Sequence, residues 1–169
     1  MDRVTKFLAH EGRVSVICAN TTDLIEKIRK LHNLTPTTTA ALGRFATISG
    51  MMGLTEIKEQ EDSMTIQLNG NGPMGALISV VRREENISKI KVCTHNPHVE
   101  LPLKENGKLD VSGAVGKNGF LNIIKKNDFT EKDYNGLVPL TSGEIAEDFT
   151  EYFAKSQQKP TVVALGVLV

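Results

Sequence analysis

The spacing of apolar residues changes twice along this chain of 169 residues, and this change constrains the fold more than any single motif. Apolar residues from Leu24 to Leu31 recur at helical intervals, whereas those from Met64 to Leu68 alternate with polar residues, as in a strand with one buried face. Helical spacing returns between Ile145 and Phe153. The sequence therefore predicts an α+β fold, in which antiparallel-rich β-sheets pack with about three to four helices.

Two helices are predicted in the first third of the chain. The first runs from Asp23 to Leu31, with one apolar stripe. The second begins at Pro36, directly after an N-cap threonine, and continues to about Met52. This second segment is rich in alanine and glycine, and glycine costs a helix roughly 1 kcal/mol relative to alanine. We therefore expect a buried helix whose backbone approaches its neighbours closely.

A third helix is predicted after Thr141. Thr141 and Glu144 fit the S/T-x-x-E capping box that satisfies free amides at a helix start. The apolar face would then carry Ile145, Phe149, Tyr152 and Phe153, and the solvent face Glu147, Asp148, Glu151 and Lys155.

Short β-branched runs predict the strands. Gly107 and the pair Asn118-Gly119 are expected to form tight hairpin turns. The last apolar run, residues 161–169, reads as a strand that would leave an apolar edge exposed and favour self-association. The predicted strands are Val14–Ile17, Met64–Asn69, Ala76–Val81, Ile87–Val92, Val99–Leu103, Val111–Val115, Phe120–Ile124 and Thr161–Val169.

Composition excludes several classes of protein. Twenty basic and twenty acidic side chains cancel, so the chain lacks the basic surface of a nucleic-acid binder. No apolar run is long enough to span a membrane, and the charged start does not resemble a secretory signal. We expect one domain, covering residues 1–169, in the cytoplasm.

The segment from Gly70 to Gly75 has the G-x-G-x-x-G spacing of a dinucleotide-binding loop. Such a loop must open a helix, but here Pro73 lies inside it and the β-branched run from Ala76 to Val81 follows. We interpret the segment as a tight turn. A small-molecule-binding or nucleotide-dependent enzyme that uses this loop remains the alternative function.

Other chemistry has weak support. Cys93, His95 and His98 have a spacing that metals can use, but the only other cysteine, Cys18, is distant in sequence, so no metal site is predicted. A disulfide between two cytoplasmic cysteines is also not expected. No nucleophile elbow or catalytic triad pattern is present, and no enzyme activity is predicted.

Three separated motifs resemble the N-terminal domain of the heat shock protein 33 family. They are Gly70-Asn71-Gly72-Pro73-Met74, Tyr134-Asn135-Gly136-Leu137-Val138-Pro139-Leu140 and Tyr152-Phe153-Ala154-Lys155-Ser156-Gln157-Gln158-Lys159-Pro160-Thr161. One departure is Gln157, where the family pattern leads us to expect Glu. Structural roles are expected for the motif residues Gly70, Gly72, Pro73, Tyr134, Gly136, Tyr152, Phe153, Ser156, Gln158 and Pro160.

The resemblance implies a cytoplasmic, ATP-independent holdase, a chaperone that binds unfolding client proteins and prevents their aggregation. In the family a C-terminal zinc domain with C-x-C and C-x-x-C cysteines supplies a redox switch. Cys18 and Cys93 do not match those positions, so we expect this chain to be a truncated N-terminal domain without zinc or any other cofactor, and a homodimer or other self-associating species. The candidate client-binding residues are Ile145, Phe149, Phe153, Val163, Leu165 and Val167.

Overall fold

In the computed structural model, which describes residues 1–59, 62–126 and 133–168, the helices and strands form an α+β fold with two antiparallel sheets. The elements in chain order are β1 (Arg3–Ala9), β2 (Val14–Asn20), α1 (Thr22–His32), α2 (Pro36–Glu56), β3 (Ser63–Asn71), β4 (Leu77–Glu84), β5 (Ile87–Thr94), α3 (Val111–Val115), β6 (Gly116–Lys126), β7 (Tyr134–Pro139) and α4 (Ala146–Lys155). The predicted fold class is confirmed.

The larger sheet has the strand order β5-β4-β3-β6-β7. Its central strand β3 alternates buried and exposed residues, as its sequence predicts, and pairs with β4 and β6 in register. The smaller sheet is the hairpin of β1 and β2, in which Arg3 pairs with Asn20 and Ala9 with Val14. Strands β1 and β7 were not predicted from the sequence.

Helix α2 lies at the centre of the domain, where it contacts β2, β4, β5, α1 and α3. Pro36 occupies its first turn, where a missing amide hydrogen costs nothing. Buried residues extend around the whole helix, among them Leu42, Phe45 and Met52. A helix that is apolar on all sides belongs in a core, so the prediction of a buried helix is confirmed.

Two predicted strands in the middle of the chain are wrong. Val99–Leu103 forms no strand, because the segment is flanked and interrupted by Pro97 and Pro102, which have no amide hydrogen for a ladder. Val111–Val115 is helix α3, whose N-cap Asp110 accepts a hydrogen bond from the Gly113 amide at 2.9 Å. Its valines are buried, so tertiary packing overrides their β-propensity.

A predicted hairpin turn and a predicted helix cap are also wrong. Asn118-Gly119 lies inside β6 rather than in a hairpin turn, next to a bulge where Gly70 and Asn71 both face Gly116. The capping box of Thr141 and Glu144 does not form. Instead Asp148, predicted on the solvent face, is fully buried and accepts backbone hydrogen bonds in the turn before α4.

Residues 161–168 form neither helix nor strand and belong to neither sheet, so the predicted last strand is not formed there. Val169 lies outside the described residues. We call residues 161–168 the tail. Side chains along the tail alternate between half-buried and exposed, which keeps the period of two without a paired strand.

Candidate functional site

A cleft of about 1060 Å³ opens between the β1–β2 hairpin and the tail. Strand β2 forms one wall from Ser15 to Asn20, and the tail forms the other. Helices α1 and α2 supply apolar side chains to the lining, among them Ile25, Ile48 and Met52. The volume is at the upper end of the range for small-molecule pockets, and the cleft is long enough to have eight residues of extended chain along one wall.

Large apolar side chains are exposed on both elements that bound this cleft. On the hairpin, Phe7 is 46% and Leu8 67% exposed, and on the tail Val162 and Leu168 are almost fully exposed. Isolated exposed apolar residues are ordinary on protein surfaces, but groups of them mark binding sites. The two elements therefore offer apolar contacts to another polypeptide.

The other face of the tail packs on the domain. Val163, Leu165 and Val167 are half-buried against the hydrophobic core. A methyl group built at Gly43 in α2 would lie 3.0 Å from Cγ2 of Val167, so the absence of a side chain at Gly43 lets the tail approach the helix. The amide of Val163 donates a hydrogen bond to Oγ1 of Thr150 at 3.3 Å.

A polar cluster holds the chain where it leaves α4. The Tyr134 and Ser156 hydroxyls are 2.6 Å apart, and Nε2 of Gln157 donates to the hydroxyls of Tyr134 and Tyr152 at 2.8 and 3.0 Å. Burial, with a further effect from the bond to Tyr134, raises the pKa of Tyr152, so its hydroxyl stays protonated. The cluster holds the C-terminal end of α4 and the residue after it against strand β7.

An ion-pair cluster joins α2 to the turn before α4. The Glu144 carboxylate pairs with Arg44 at 2.7 Å and with Lys104 at 2.6 Å. Burial alone would raise the pKa of Glu144, but hydrogen bonds from Lys104 and Arg44 outweigh this effect and lower it. Because Arg44 also lines the cleft, this cluster connects the cleft to the turn before α4.

Comparison with known proteins places this architecture in a family. The profile of the Hsp33 protein family matches residues 2–169. The chain belongs to the Hsp33 family.

Curated Hsp33 relatives include the 33 kDa chaperonin of Acetivibrio thermocellus, 46% identical over 99% of this chain and 54% of the relative, and that of a Geobacillus species, 42% identical over 99% and 55%. The crystal structure of the 33 kDa chaperonin of Thermotoga maritima superimposes with a TM-score of 0.88 at 32% identity, covering 98% of this chain and 55% of that one. The chain thus spans about half the length of the Hsp33 proteins it matches. The family predicted from the three motifs is confirmed.

The Hsp33 glycine motif forms a turn between β3 and β4, with no helix after it. A methyl group on Gly70 would lie 2.0 Å from the carbonyl oxygen of Gly116, and one on Gly72 would lie 2.4 Å from that of Ala114. These glycines are required by backbone contact with the end of α3 and the first residue of β6, and Pro73 is exposed. The interpretation as a turn is confirmed, and the alternative of a dinucleotide-binding enzyme loses its basis.

The other Hsp33 motif residues lie around the polar cluster. Gly136 is buried, and a methyl group there would lie 2.7 Å from the Tyr134 hydroxyl and from Oγ of Ser156. Gln158 adopts a positive φ of 53° just after α4, and Pro160 precedes the tail. Gln157, the departure from the expected motif, hydrogen-bonds both tyrosines through its amide group.

The six predicted client-binding residues fall into two groups. Ile145 and Phe149 are fully buried in the core of this Hsp33 domain. Phe153 is 8% exposed and lines the cleft, together with Val163, Leu165 and Val167 of the tail. Sequence reasoning did not include Phe7 and Leu8, because the apolar residues of β1 follow neither a helical nor an alternating pattern.

Cysteine and histidine positions offer no assembled metal site in the parts of the chain that are described, where no three His, Cys, Asp or Glu side chains are grouped to hold an ion. Cys93, His95 and His98 are all exposed near the end of β5. Cys18 is a free, exposed thiol on β2. Across these same residues no helix has the length and hydropathy to cross a membrane.

Proposed function

We propose that this chain is the client-binding part of an ATP-independent holdase that captures unfolding polypeptides and prevents their aggregation. The observation that carries the proposal is the open cleft bounded by a hairpin and a tail that both expose apolar side chains, in a member of a family whose relatives are named chaperonins. Holding an unfolded client needs apolar contact and no chemical step. The protein is accordingly a binding protein rather than an enzyme.

The same surface supports self-association, and we propose a homodimer as the form in solution. A two-stranded hairpin is only marginally stable in water by itself, yet β1–β2 exposes apolar side chains of both strands. Covering those side chains in a second copy would stabilise the hairpin. Sedimentation equilibrium between 1 and 100 μM would detect the dimer.

Redox control and zinc belong, in the proposal, to a part of the family architecture outside this chain. Cys18 and Cys93 are free and exposed and lie in different sheets, so they are not placed to form a disulfide with each other. We therefore propose that this chain needs no cofactor, acts in the cytoplasm, and binds clients equally well in reducing and oxidising buffers.

The test is light scattering from a heat-unfolding client enzyme with this chain added, without ATP. The variant Phe7→Ser/Leu8→Ser removes two exposed apolar side chains from the hairpin. The control Leu31→Ser/Ile87→Ser removes two comparably exposed ones from α1 and from the far edge strand β5. We expect the hairpin variant to lose most of the suppression and the control to keep it. Equal suppression by both variants would refute the assignment of the surface.

A further inference from the structure

Strand β5 forms one edge of the larger sheet, four strands away from β7. Helix α4 packs against β7 and β6, at the other side of the sheet. In the residues that the structure describes, no strand pairs with the outer side of β5. An edge strand of this kind can pair with an extended segment of another chain.

The outer side of β5 offers unpaired backbone groups. The His95 amide donates to the Ala76 carbonyl at 3.1 Å, and the pairing of β5 with β4 continues from there without a bulge. Hydrogen-bonded pairs alternate along an antiparallel ladder, so every second residue of β5 bonds to β4. The amides of Ser88, Ile90 and Val92 therefore point away from β4. Among the described residues, none of these three amides donates to the backbone of another element.

The two faces of β5 differ in chemistry. Lys89 and Lys91 are exposed on the face that points away from α2. Ile90 and Val92 lie on the other face, half-buried against the core, so each keeps some apolar surface beside the free edge. A strand added to this edge would therefore meet cations on one face and apolar side chains on the other.

Positive charge is concentrated on the exposed face of this edge. Arg82 of β4 lies directly opposite Lys89, and like charges in that position destabilise a sheet. Glu84 pairs with Lys89 at 2.5 Å, whereas Arg82 and Lys91 form no salt bridge within the described part of the chain. The whole chain has equal numbers of basic and acidic residues, so this local excess of positive charge distinguishes the edge.

We propose that the β5 edge binds an extended acidic segment of another protein, in which acidic and apolar side chains alternate. The segment adds to the sheet as a further strand, through main-chain hydrogen bonds to the free amides. Its acidic side chains face Lys89, Lys91 and Arg82, and its apolar side chains contact Ile90 and Val92. This inference goes beyond the proposed holdase, whose surface lies on the other sheet.

A second copy of this chain fits the same edge poorly. Antiparallel pairing of two β5 strands about Ile90 would set Lys89 of each copy opposite Lys91 of the other. Directly opposed like charges destabilise such a pair, and lysines on an edge strand commonly prevent pairing with like strands. An acidic segment replaces this repulsion by attraction.

Helix α2 holds the edge in place for a partner. A methyl group on Gly53 would lie 2.1 Å from Oγ of Ser88, and one on Gly50 would lie 4.0 Å from Cγ2 of Ile90. The two glycines thus let the backbone of α2 approach β5 closely. Because the strand is already ordered, a partner does not have to order it, and this lowers the cost of binding.

The probe is a fluorescein-labelled peptide that alternates glutamate and valine, with binding followed by fluorescence anisotropy. A peptide residue opposite Ile90 would direct its amide towards β5 and its side chain towards α2, so the valine amides would pair with the strand and the glutamate amides would point away. We expect N-methylation of the valines to lower the affinity at least tenfold, and N-methylation of the glutamates to leave it nearly unchanged. A peptide with lysine in place of glutamate should not bind.

Protein variants test the charges independently. Lys89→Glu/Lys91→Glu reverses the two exposed lysines of β5, and Lys108→Glu/Lys117→Glu makes the same change in net charge at two exposed lysines outside this strand. We expect the first variant to bind the acidic peptide about tenfold more weakly and the second to bind it like the wild type. Circular dichroism checks that both variants remain folded.

Three results would overturn the proposal. Equal affinity for the two N-methylated peptides would show attraction by charge without strand addition. An equal loss of affinity in both lysine variants would show that net charge, and not this edge, attracts the peptide. Absence of binding by the folded wild type at about 500 μM would exclude the site altogether.

Suppression of client aggregation is a separate readout. The Lys89→Glu/Lys91→Glu variant should suppress aggregation like the wild type, because the client surface lies on the hairpin. Loss of suppression together with loss of peptide binding would overturn a site distinct from the client surface. Peptide binding at the edge without any suppression by the wild type would retain this site and refute the holdase.

Discussion

Removing the Asp148 carboxylate should destabilise the domain more than any other single change at the start of α4. The side chain is fully buried and accepts four backbone hydrogen bonds. Oδ1 accepts from the amides of Thr141, Ser142 and Gly143 at 2.7, 3.0 and 3.3 Å, and Oδ2 accepts from the amide of Ile145 at 2.9 Å. One carboxylate thus satisfies four of the five amides from Thr141 to Ile145, and the fifth, that of Glu144, donates to Oγ of Ser142 at 3.2 Å.

The size of the effect follows from these bonds. A hydrogen bond to a charged group contributes about 1.5–3 kcal/mol, but partial solvation of the turn after truncation recovers much of the sum. Gly143 and Ile145 both have positive φ, and a β-branched residue in that region costs about 1–3 kcal/mol unless its surroundings hold it. We expect Asp148→Ala to lower the free energy of unfolding by about 3–5 kcal/mol. Asp148→Asn, which keeps one acceptor oxygen, should lose about 1–2 kcal/mol.

Urea denaturation followed by circular dichroism measures these differences. Thr141→Ala and Glu147→Ala are the matched controls, because both side chains are exposed in the same stretch. Each control should cost less than about 0.5 kcal/mol. A capping role for the Thr141 hydroxyl would instead cost about 1 kcal/mol. The reasoning fails if Asp148→Ala costs less than 1 kcal/mol, or if Thr141→Ala matches it.

Three further predictions concern packing, pH and the polar cluster. Gly53→Ala should lower the free energy of unfolding by about 1–3 kcal/mol, since its methyl group would lie 2.1 Å from Oγ of Ser88. Gly50→Ala, with no atom nearer than 4.0 Å, should raise it, because alanine favours a helix more than glycine does. Urea titration that ranks the two variants the other way would contradict the contact at Gly53. Because folding lowers the pKa of Glu144, its ionised carboxylate stabilises the fold above pH 4.5, and this stabilisation is lost as the pH falls through the pKa of the folded state. The difference in unfolding free energy between the wild type and Glu144→Gln should therefore shrink between pH 6 and pH 3. A difference that stays constant would exclude the ion pairs as its cause. Tyr134→Phe should cost about 1–2 kcal/mol and speed hydrogen exchange where the chain leaves α4, and unchanged exchange there would show that the hydroxyl does not hold that segment.

Periodicity predicted most of the core. Helices α1 and α2 and strands β3, β4 and β5 appear where their apolar spacing places them, because in these segments the local pattern and the buried face agree. The failures come from contacts between distant parts of the chain. Val111–Val115 is helical because its end binds the glycine turn, where the Gly72 and Met74 amides donate to the carbonyls of Val115 and Ala114.

Asp148 shows the same limit for a polar residue. Its place between the apolar positions Ile145 and Phe149 reads as the solvent face of an amphipathic helix, and only the tight turn around Gly143 reveals why it is buried. The cleft was partly predictable, since the tail pattern and Phe153 were recognised. The hairpin residues Phe7 and Leu8 were not, because an exposed apolar residue follows no pattern that burial imposes.

The all-round burial of helix α2 has a consequence for synthesis. This helix is made early, yet the strands that cover it, β4 and β5, extend to Thr94, and α3 extends to Val115. A nascent chain therefore carries the 21 residues of α2 without these partners until translation has passed Thr94. Forming the helix alone leaves these apolar side chains exposed to solvent, so the polypeptide is prone to aggregate while it emerges from the ribosome. A protein that would protect others from this hazard passes through it during its own synthesis.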